Sequence, residues 1–489
     1  MSDAASVPFT ETKAPEAPER LHRGALSLID ISASTMANIG PAYSFFFGFG
    51  FLVFTAGVAA PLTIIVAGIA IALLGNTLAE FSRAQPSTGG FISFVGKTFG
   101  GTSAVTTALL CGAGYIIAIS SVFAISGGFL ETVLNYYFGW NVPWIIWSVI
   151  LTGAATLMTV RGVGVSTKLA GFFFAFEMLV LIIVSVAVLI KNGGHLSAVP
   201  FEPSHITNGF TGLAAGFPLA IYLFIGWENS AALAEETGNP RRNVPRAVFF
   251  SIALMVTGYV LFAFSTVTGF GYNGTALANS SIPFISVAHN VLAGFAVVAY
   301  IAGLTSTLGV LISAINSQAR LIFNAGREGL LPRWIGKVHP NRRTPVNAIY
   351  IFVAIASAII LVWAFLHLIG GHGESGSMNA LTFFVESSTL GTILVLVVYF
   401  LANLALPFYY RKYRPAEFNV AKHIVLPVLG MVAIGVPMYY LVKPGQPAPY
   451  DWFPYAALGM VAVAVIYAFF LSRRDPGLGD RVGSIVADE

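Results

Sequence analysis

Ala37-Asn38-Ile39-Gly40-Pro41-Ala42 lies near the middle of an apolar run spanning residues 26–56 and sets a proline directly after a glycine. Proline removes a backbone donor and its ring collides with the preceding turn, so a helix entering this stretch ends or kinks there. Five apolar runs later, Phe224-Ile225-Gly226-Trp227-Glu228-Asn229 interrupts the run 211–233 and sets a glycine near an acid and an amide. Either break alone reads equally well as an ordinary kink or a helix end. Their corresponding positions in two halves of the chain point instead to an inverted-repeat transporter, in which the exposed ends of interrupted helices form a site at mid-membrane.

Working outward, apolar runs between charges and turn residues give twelve candidate membrane helices, at 26–56, 60–82, 103–130, 143–160, 169–190, 211–233, 247–270, 290–316, 346–369, 378–405, 424–442 and 453–472. Composition demands something of this kind. The 489 residues are 56% hydrophobic and 9% charged, against roughly 25% charged in a soluble domain. At about 20 apolar residues per crossing, such a chain supplies around a dozen spans. The 50 glycines and 25 prolines fall inside apolar runs, where membrane helices tolerate them. The net charge of +4 is scattered singly and in short clusters, which gives no footprint for nucleic acid. The single cysteine, Cys111, allows no intramolecular disulfide and no thiolate metal cluster. Residues 1–20 lack the apolar core of a signal peptide and read as a short disordered tail.

The expected fold is thus all-α and polytopic, with twelve transmembrane helices arranged as a 5+5 inverted repeat whose helices 1 and 6 are unwound, plus two C-terminal helices. The expected organisation is a cytoplasmic N-terminal tail 1–25, repeats over 26–190 and 211–405, helices 11 and 12 over 424–472, and a cytoplasmic C-terminal tail 473–489. Short loops rich in Lys and Arg stay cytoplasmic. With the N-terminus inside, all of the 25 Lys and Arg except Lys191 and Lys443 fall on the cytoplasmic side. That places both termini in the cytoplasm of a multi-pass cell-membrane protein whose partners are the lipid bilayer and a small-molecule substrate. Oligomeric state leaves no mark in the sequence.

A charge at the centre of a membrane helix costs about 2.5–3.5 kcal/mol on insertion scales, so each acid inside a span needs an account. Asp30, Glu80 and Glu131 sit near span ends, and Glu235 and Glu236 close span 6 at the cytoplasmic face; all five read as solvated. Glu177 is different, lying in Phe172-Phe173-Phe174-Ala175-Phe176-Glu177-Met178-Leu179 with no charge nearby in sequence. An apolar setting disfavours the charged form, which suits a carboxyl that takes up and releases a proton; a structural hydrogen bond to a neighbouring helix explains it equally well. Glu228 follows the second break and suits either organisation of the unwound segment or neutralisation of a cationic substrate group. Glu386 in span 10 is a weaker candidate.

Three stretches resemble the amino acid–polyamine–organocation (APC) superfamily of transporters. The first is Phe224-Ile225-Gly226-Trp227-Glu228 with Ala234-Glu235-Glu236 and Asn239-Pro240-Arg241-Arg242-Asn243-Val244-Pro245-Arg246. The second is Ser317-Gln318-Ala319-Arg320 with Ala325-Gly326-Arg327-Glu328-Gly329-Leu330-Leu331-Pro332 and Arg343-Thr344-Pro345, and the third is Gln85-Pro86-Ser87-Thr88-Gly89-Gly90. The resemblance covers all twelve spans and implies the LeuT-like repeat, with substrate held where spans 1 and 6 unwind. Free amides at a half-helix start suit an anionic group and free carbonyls at a half-helix end a cationic one; an amino acid carries both. By this resemblance Ile39, Gly40, Pro41 and Ala42 on span 1 and Phe224, Ile225, Gly226, Trp227 and Glu228 on span 6 bind substrate, and Tyr222 matches an aromatic gate. Pro41 departs from the family pattern, since it lacks an amide that the family offers a carboxylate, and this leaves room for an amine or polyamine. Glu177 stands where some proton-coupled relatives carry Lys. With Ser306 and Thr307 of span 8 it forms a candidate coupling site for H+, with Na+ the alternative, and no other cofactor is expected.

A secondary transporter of an amino acid or related amine is therefore the expected function, as proton symporter or alternatively as exchanger. No Walker A sequence is present, no Thr-Val-Gly-Tyr-Gly filter supports an ion channel, and no His-Glu-x-x-His or Gly-x-Ser-x-Gly pattern supports an enzyme.

Overall fold

The computed structural model describes residue 21, residues 24–370 and 379–481, and residue 487. Residues 1–20 of the expected N-terminal tail lie outside the described residues. In chain order the helices are α1 Leu28–Ile39, α2 Pro41–Ala56, α3 Ala60–Ala84, α4 Phe91–Phe99, α5 Gly101–Phe138, α6 Trp144–Arg161, α7 Val163–Lys191, α8 Gly209–Tyr222 and α9 Asn229–Ala232. There follow α10 Pro240–Gly269, α11 Gly274–Ala278, α12 Pro283–Val291, α13 Ala296–Arg327, α14 Val346–Gly370, α15 Ala380–Tyr413, α16 Leu426–Val442, α17 Phe453–Arg474 and α18 Leu478–Arg481. Among the described residues there is no β-strand, and a single parallel bridge joins Leu26 to Thr237. Among the described residues ten helical stretches are long and apolar enough to cross a membrane; the first, Leu28–Ala84, runs for 57 residues, and α8 is a shorter apolar helix.

The first break follows from local chemistry. Ser27 and Asp30 form a capping box that starts α1, with the Ser27 amide donating to Asp30 Oδ2 at 2.9 Å. Asp30 is thus spent on a cap. Gly40 ends the helix in the left-handed region at φ 62°, its amide donating to the Met36 carbonyl, and Pro41 occupies the first position of α2. Glycine pays no Cβ penalty there, and proline at a helix start loses no intrahelical bond. Space also requires glycine, because a Cβ at position 40 would lie 2.1 Å from Val310 Cγ2 of α13.

The second break is longer. Residues 223–228 form turns between α8 and α9, with Gly226 at φ 106°. A Cβ at Gly226 would lie 2.6 Å from Asn38 Nδ2, so the two interruptions touch. Asn38 Nδ2 donates to the Gly226 carbonyl at 3.4 Å, and Asn229 Nδ2 donates to Ser34 Oγ at 3.2 Å. Around this pair, α5 packs on α15, α10 on α3 and α13 on α7.

The chain before α1 is joined to the segment after α9. The Leu26 amide donates to the Glu236 carbonyl at 2.9 Å, the Gly238 amide to the Leu26 carbonyl at 3.0 Å, and the Leu21 amide to Glu235 Oε1 at 3.0 Å.

Three of the acids expected to be solvated are buried instead. Glu236 is fully buried and pairs with Arg320, and Glu235 pairs with Arg327. Glu80 is buried among Arg83, Tyr410 and His423, with His423 Nε2 at 3.4 Å. The reason is shared: each faces a basic or hydroxyl-bearing side chain from a distant helix, and a buried charge persists where it is paired and hydrogen-bonded. Glu386 likewise accepts from Trp363 Nε1 of α14 at 2.6 Å, an interhelical hydrogen bond.

Candidate functional site

The amides that begin α2 all have partners inside the protein. Pro41 has none to offer. Ala42 donates to Glu177 Oε2 of α7 at 2.9 Å, Tyr43 donates to Ser306 Oγ of α13 at 3.0 Å, and Ser44 donates to the Gly40 carbonyl at 2.7 Å. A helix start carries partial positive charge on its free amides, and the Glu177 carboxyl group faces it. The carboxyl group is fully buried and its Oε1 has no hydrogen-bond partner. Thr307, next to Ser306 in sequence, instead gives its hydroxyl to the Leu304 carbonyl of its own helix at 2.8 Å.

On the other side of the breaks lies a central cavity of about 40 Å³. Ile39, Tyr222, Ile225 and Gly226 line it, together with Asn38, Tyr43 and Gln318, which the sequence reading did not select. Its volume has room for a few waters at most, at about 10–15 Å³ for each. Phe224 points away and packs on Tyr259 at 5.3 Å, while Trp227 sits between Phe91 and Tyr399 at 6.4 and 5.7 Å.

Glu228 faces a second cavity of about 20 Å³, shared with Asn38, Tyr115, Asn229, Ser317 and Gln318. The Tyr115 hydroxyl donates to Glu228 Oε1 at 2.7 Å. Glu228 Oε2, Asn229 Oδ1 and Gln318 Oε1 are buried without hydrogen-bond partners. Among the described residues no Lys, Arg or His lines either cavity.

Barriers close the cavities at both ends. At one end the Tyr43 and Tyr222 hydroxyls meet at 3.1 Å, and both rings pack edgewise on Phe384, at 5.9 and 5.8 Å. Phe47 continues this aromatic layer at 6.1 Å from Phe384, and beyond it opens a vestibule of about 610 Å³ lined by Phe47, Phe129, Glu131, Thr132 and Trp144 among others. At the other end stand two bidentate ion pairs. Arg320 Nε and Nη2 reach Glu236 at 2.6 and 3.1 Å, and Arg327 Nη2 and Nη1 reach Glu235 at 2.7 and 3.2 Å. Neither pair uses the arginines that follow Asn239-Pro240, of which Arg241 donates to the Arg83 and Ala84 carbonyls. Among the described residues no three His, Cys, Asp or Glu side chains converge as a metal site.

Of the residues expected at the site, the structure gathers Gly40, Pro41, Ala42, Glu177 and Ser306 at the first break, Ile39, Tyr222, Ile225 and Gly226 around the central cavity, and Glu228 at the second cavity. Phe224, Trp227 and Thr307 sit apart as packing elements.

A profile of the family described as amino acid permease matches residues 24–471. The chain is 28% identical over 352 residues to Asc-type amino acid transporter 1 of Mus musculus, covering 69% of this chain and 64% of the mouse protein, so the match spans less than two thirds of that relative. It is 23% identical over 439 residues to the branched-chain amino acid permease BcaP of Bacillus subtilis, covering 86% of this chain and 87% of the relative. It is 24% identical over 444 residues to a methylthioribose transporter of the same organism, again covering 86% and 87%.

Proposed function

The chain belongs to the amino acid permease family, and on that premise we propose that it is a secondary transporter of the cell membrane that moves an amino acid or related amine by alternating access, coupled to proton entry. One observation carries the reading. Two interrupted helices meet at Asn38 and Gly226 around a closed cavity, with an aromatic barrier on one side and ion pairs on the other. Such a site becomes reachable from each side in turn when one barrier opens and the other holds.

The reading takes twelve spans in a 5+5 inverted repeat with two further helices. Leu28–Ala84 counts as two spans, and α8 with the turns and α9 as another, beside the nine remaining long helices. The arginine-rich end is the cytoplasmic one, and both termini lie there. The names of the relatives support an amino acid as cargo, and the methylthioribose transporter supports a wider range.

Glu177 is the proposed proton carrier. Ionised, its unpartnered Oε1 is a bare charge among apolar helices, which is costly. Protonated, it keeps the bond from Ala42 through Oε2 and carries no charge. Because Ala42 belongs to the first break, the protonation state of Glu177 bears directly on the position of α2. Na+ is the alternative ion, since Glu177 and Ser306 are both oxygen ligands.

The test is uptake into proteoliposomes. Accumulation rises when the pH gradient is directed inward and falls to equilibration without it, and Glu177→Gln abolishes accumulation while leaving exchange. Equal uptake with and without the gradient overturns proton coupling, and dependence on a sodium gradient reassigns the ion.

A further inference from the structure

We propose that the substrate is an organic amine without a carboxylate, and that its ammonium group is held by Glu228, Asn229 and Gln318. This rests on the transport reading above and narrows it. Two independent observations lead to it.

The first is that the anion positions at the breaks are taken. A helix start leaves up to four amides for an anion, but at α2 Pro41 has none, Ala42 and Tyr43 donate to Glu177 and Ser306, and Ser44 is already intrahelical. Glu177 is part of the chain, so its carboxyl group keeps the Ala42 amide occupied in either protonation state, whatever ligand enters. At the second break the amides of Phe224, Ile225, Trp227 and Asn229 donate to the carbonyls of Ile221, Tyr222, Phe224 and Gly226. The Glu228 carboxyl group sits at this break, with the Tyr115 hydroxyl on its Oε1 at 2.7 Å, and repels a second anion. No cationic side chain lines either cavity, and the buried Arg320 and Arg327 are committed to Glu236 and Glu235. A substrate carboxylate would enter unpaired beside two protein carboxyl groups.

The second observation is the acceptor set of the smaller cavity. Glu228 Oε2, Asn229 Oδ1 and Gln318 Oε1 belong to side chains at least nine-tenths buried, line the same cavity and have no partners. Asn229 donates to Ser34 Oγ through Nδ2, which leaves Oδ1 as the unpartnered atom of its amide. An ammonium group offers three donors and no acceptor, which matches three free acceptors, one of them ionisable to a carboxylate. The volume of about 20 Å³ fits one small polar group rather than a side chain. The remainder of the ligand lies toward the central cavity, which shares Asn38 and Gln318 with the smaller one and widens to admit it beside Tyr43, Tyr222, Ile119 and Val122.

The experiment uses the full chain in proteoliposomes and as purified protein, with matched pairs that differ by the carboxylate: ethanolamine and serine, isobutylamine and valine, cadaverine and lysine, agmatine and arginine. The expected result is that at least one amine is accumulated and raises the thermal midpoint, with affinity at least about tenfold above its carboxylated partner, since a buried unpaired charge costs that much or more. Amino acids bound as tightly as their amines, or more tightly, overturn the inference and leave the transport reading standing. Absence of binding and uptake across every pair overturns both. Restoring amides gives a second readout: Pro41→Gly with Glu177→Ser returns two donors to α2, and the ratio of amine to amino acid affinity falls at least about tenfold. Pro41→Gly alone, which keeps Glu177, shifts the ratio in the same direction by less. An unchanged ratio in a folded double variant refutes the assignment of the anion position. Gln318→Leu weakens amine binding without changing the ratio for a pair whose members share the ammonium group.

Discussion

Gly40→Ala is the most direct probe of the first break. Two costs follow from the geometry. The residue sits at φ 62°, and a left-handed conformation costs a residue with a Cβ about 1–2 kcal/mol. The added methyl would also stand 2.1 Å from Val310 Cγ2 and 3.3 Å from Ser306 Oγ, and relieving such a clash in a packed core costs about 1–3 kcal/mol. The substitution should therefore destabilise the protein by about 2–5 kcal/mol. Because Ser306 also accepts from Tyr43, the shift should reach the start of α2 and weaken ligand binding as well. Combining it with Val310→Ala removes the clash and leaves the backbone cost, so the double variant should recover stability relative to Gly40→Ala in a thermal unfolding series in detergent. A Gly40→Ala protein with an unchanged midpoint and unchanged affinity would falsify the account of this position.

Other predictions address the remaining parts. Gly226→Leu should abolish ligand binding in an equilibrium assay, since even its first carbon would meet Asn38 Nδ2 at 2.6 Å; unchanged affinity removes the second break from the site. Glu236→Ala should cost about 3–5 kcal/mol by leaving the Arg320 guanidinium buried without its carboxylate, whereas Glu236→Leu with Arg320→Met should be far milder. Equal midpoints for the single and double variants speak against this pairing. Phe384→Ala should open the aromatic layer, so that a cysteine placed at Tyr222 in a Cys111→Ser background reacts faster with a thiol reagent applied from the vestibule side. A reaction rate equal to that in the intact layer counts against the barrier.

The breaks were legible in the sequence because their causes are local. Gly40-Pro41 needs no distant partner to end a helix, and the glycine before Trp227-Glu228 marks the second interruption in the same way. What the sequence hid was facing. Glu177 and Ala42 lie 135 positions apart, and Glu236 and Arg320 lie 84 apart, so neither pairing leaves a spacing signal. Ser306 and Thr307 show the same limit at short range. Successive helical residues point about 100° apart, so only the first reaches α2 while the second bonds its own helix. Gln318 stood inside a quoted motif, but nothing in the motif says that its side chain reaches both cavities. Tyr43 and Asn38 flank the first break, and a rule that selected the polar neighbours of a break, rather than the break itself, would have found both.

The two hydrogen bonds through which Leu26 is joined to Glu236 and Gly238 have a mechanical consequence. They fasten the strand leading into α1 to the segment that carries both gate carboxylates, and the Leu21 amide adds a third tie at Glu235. A displacement of the residues before α1 is thus transmitted by these bonds to the segment that carries Glu235 and Glu236. On the proposed alternating-access reading, the residues leading into α1 and the acidic half of the barrier form one mechanical unit, and the two ion pairs yield together rather than one after the other.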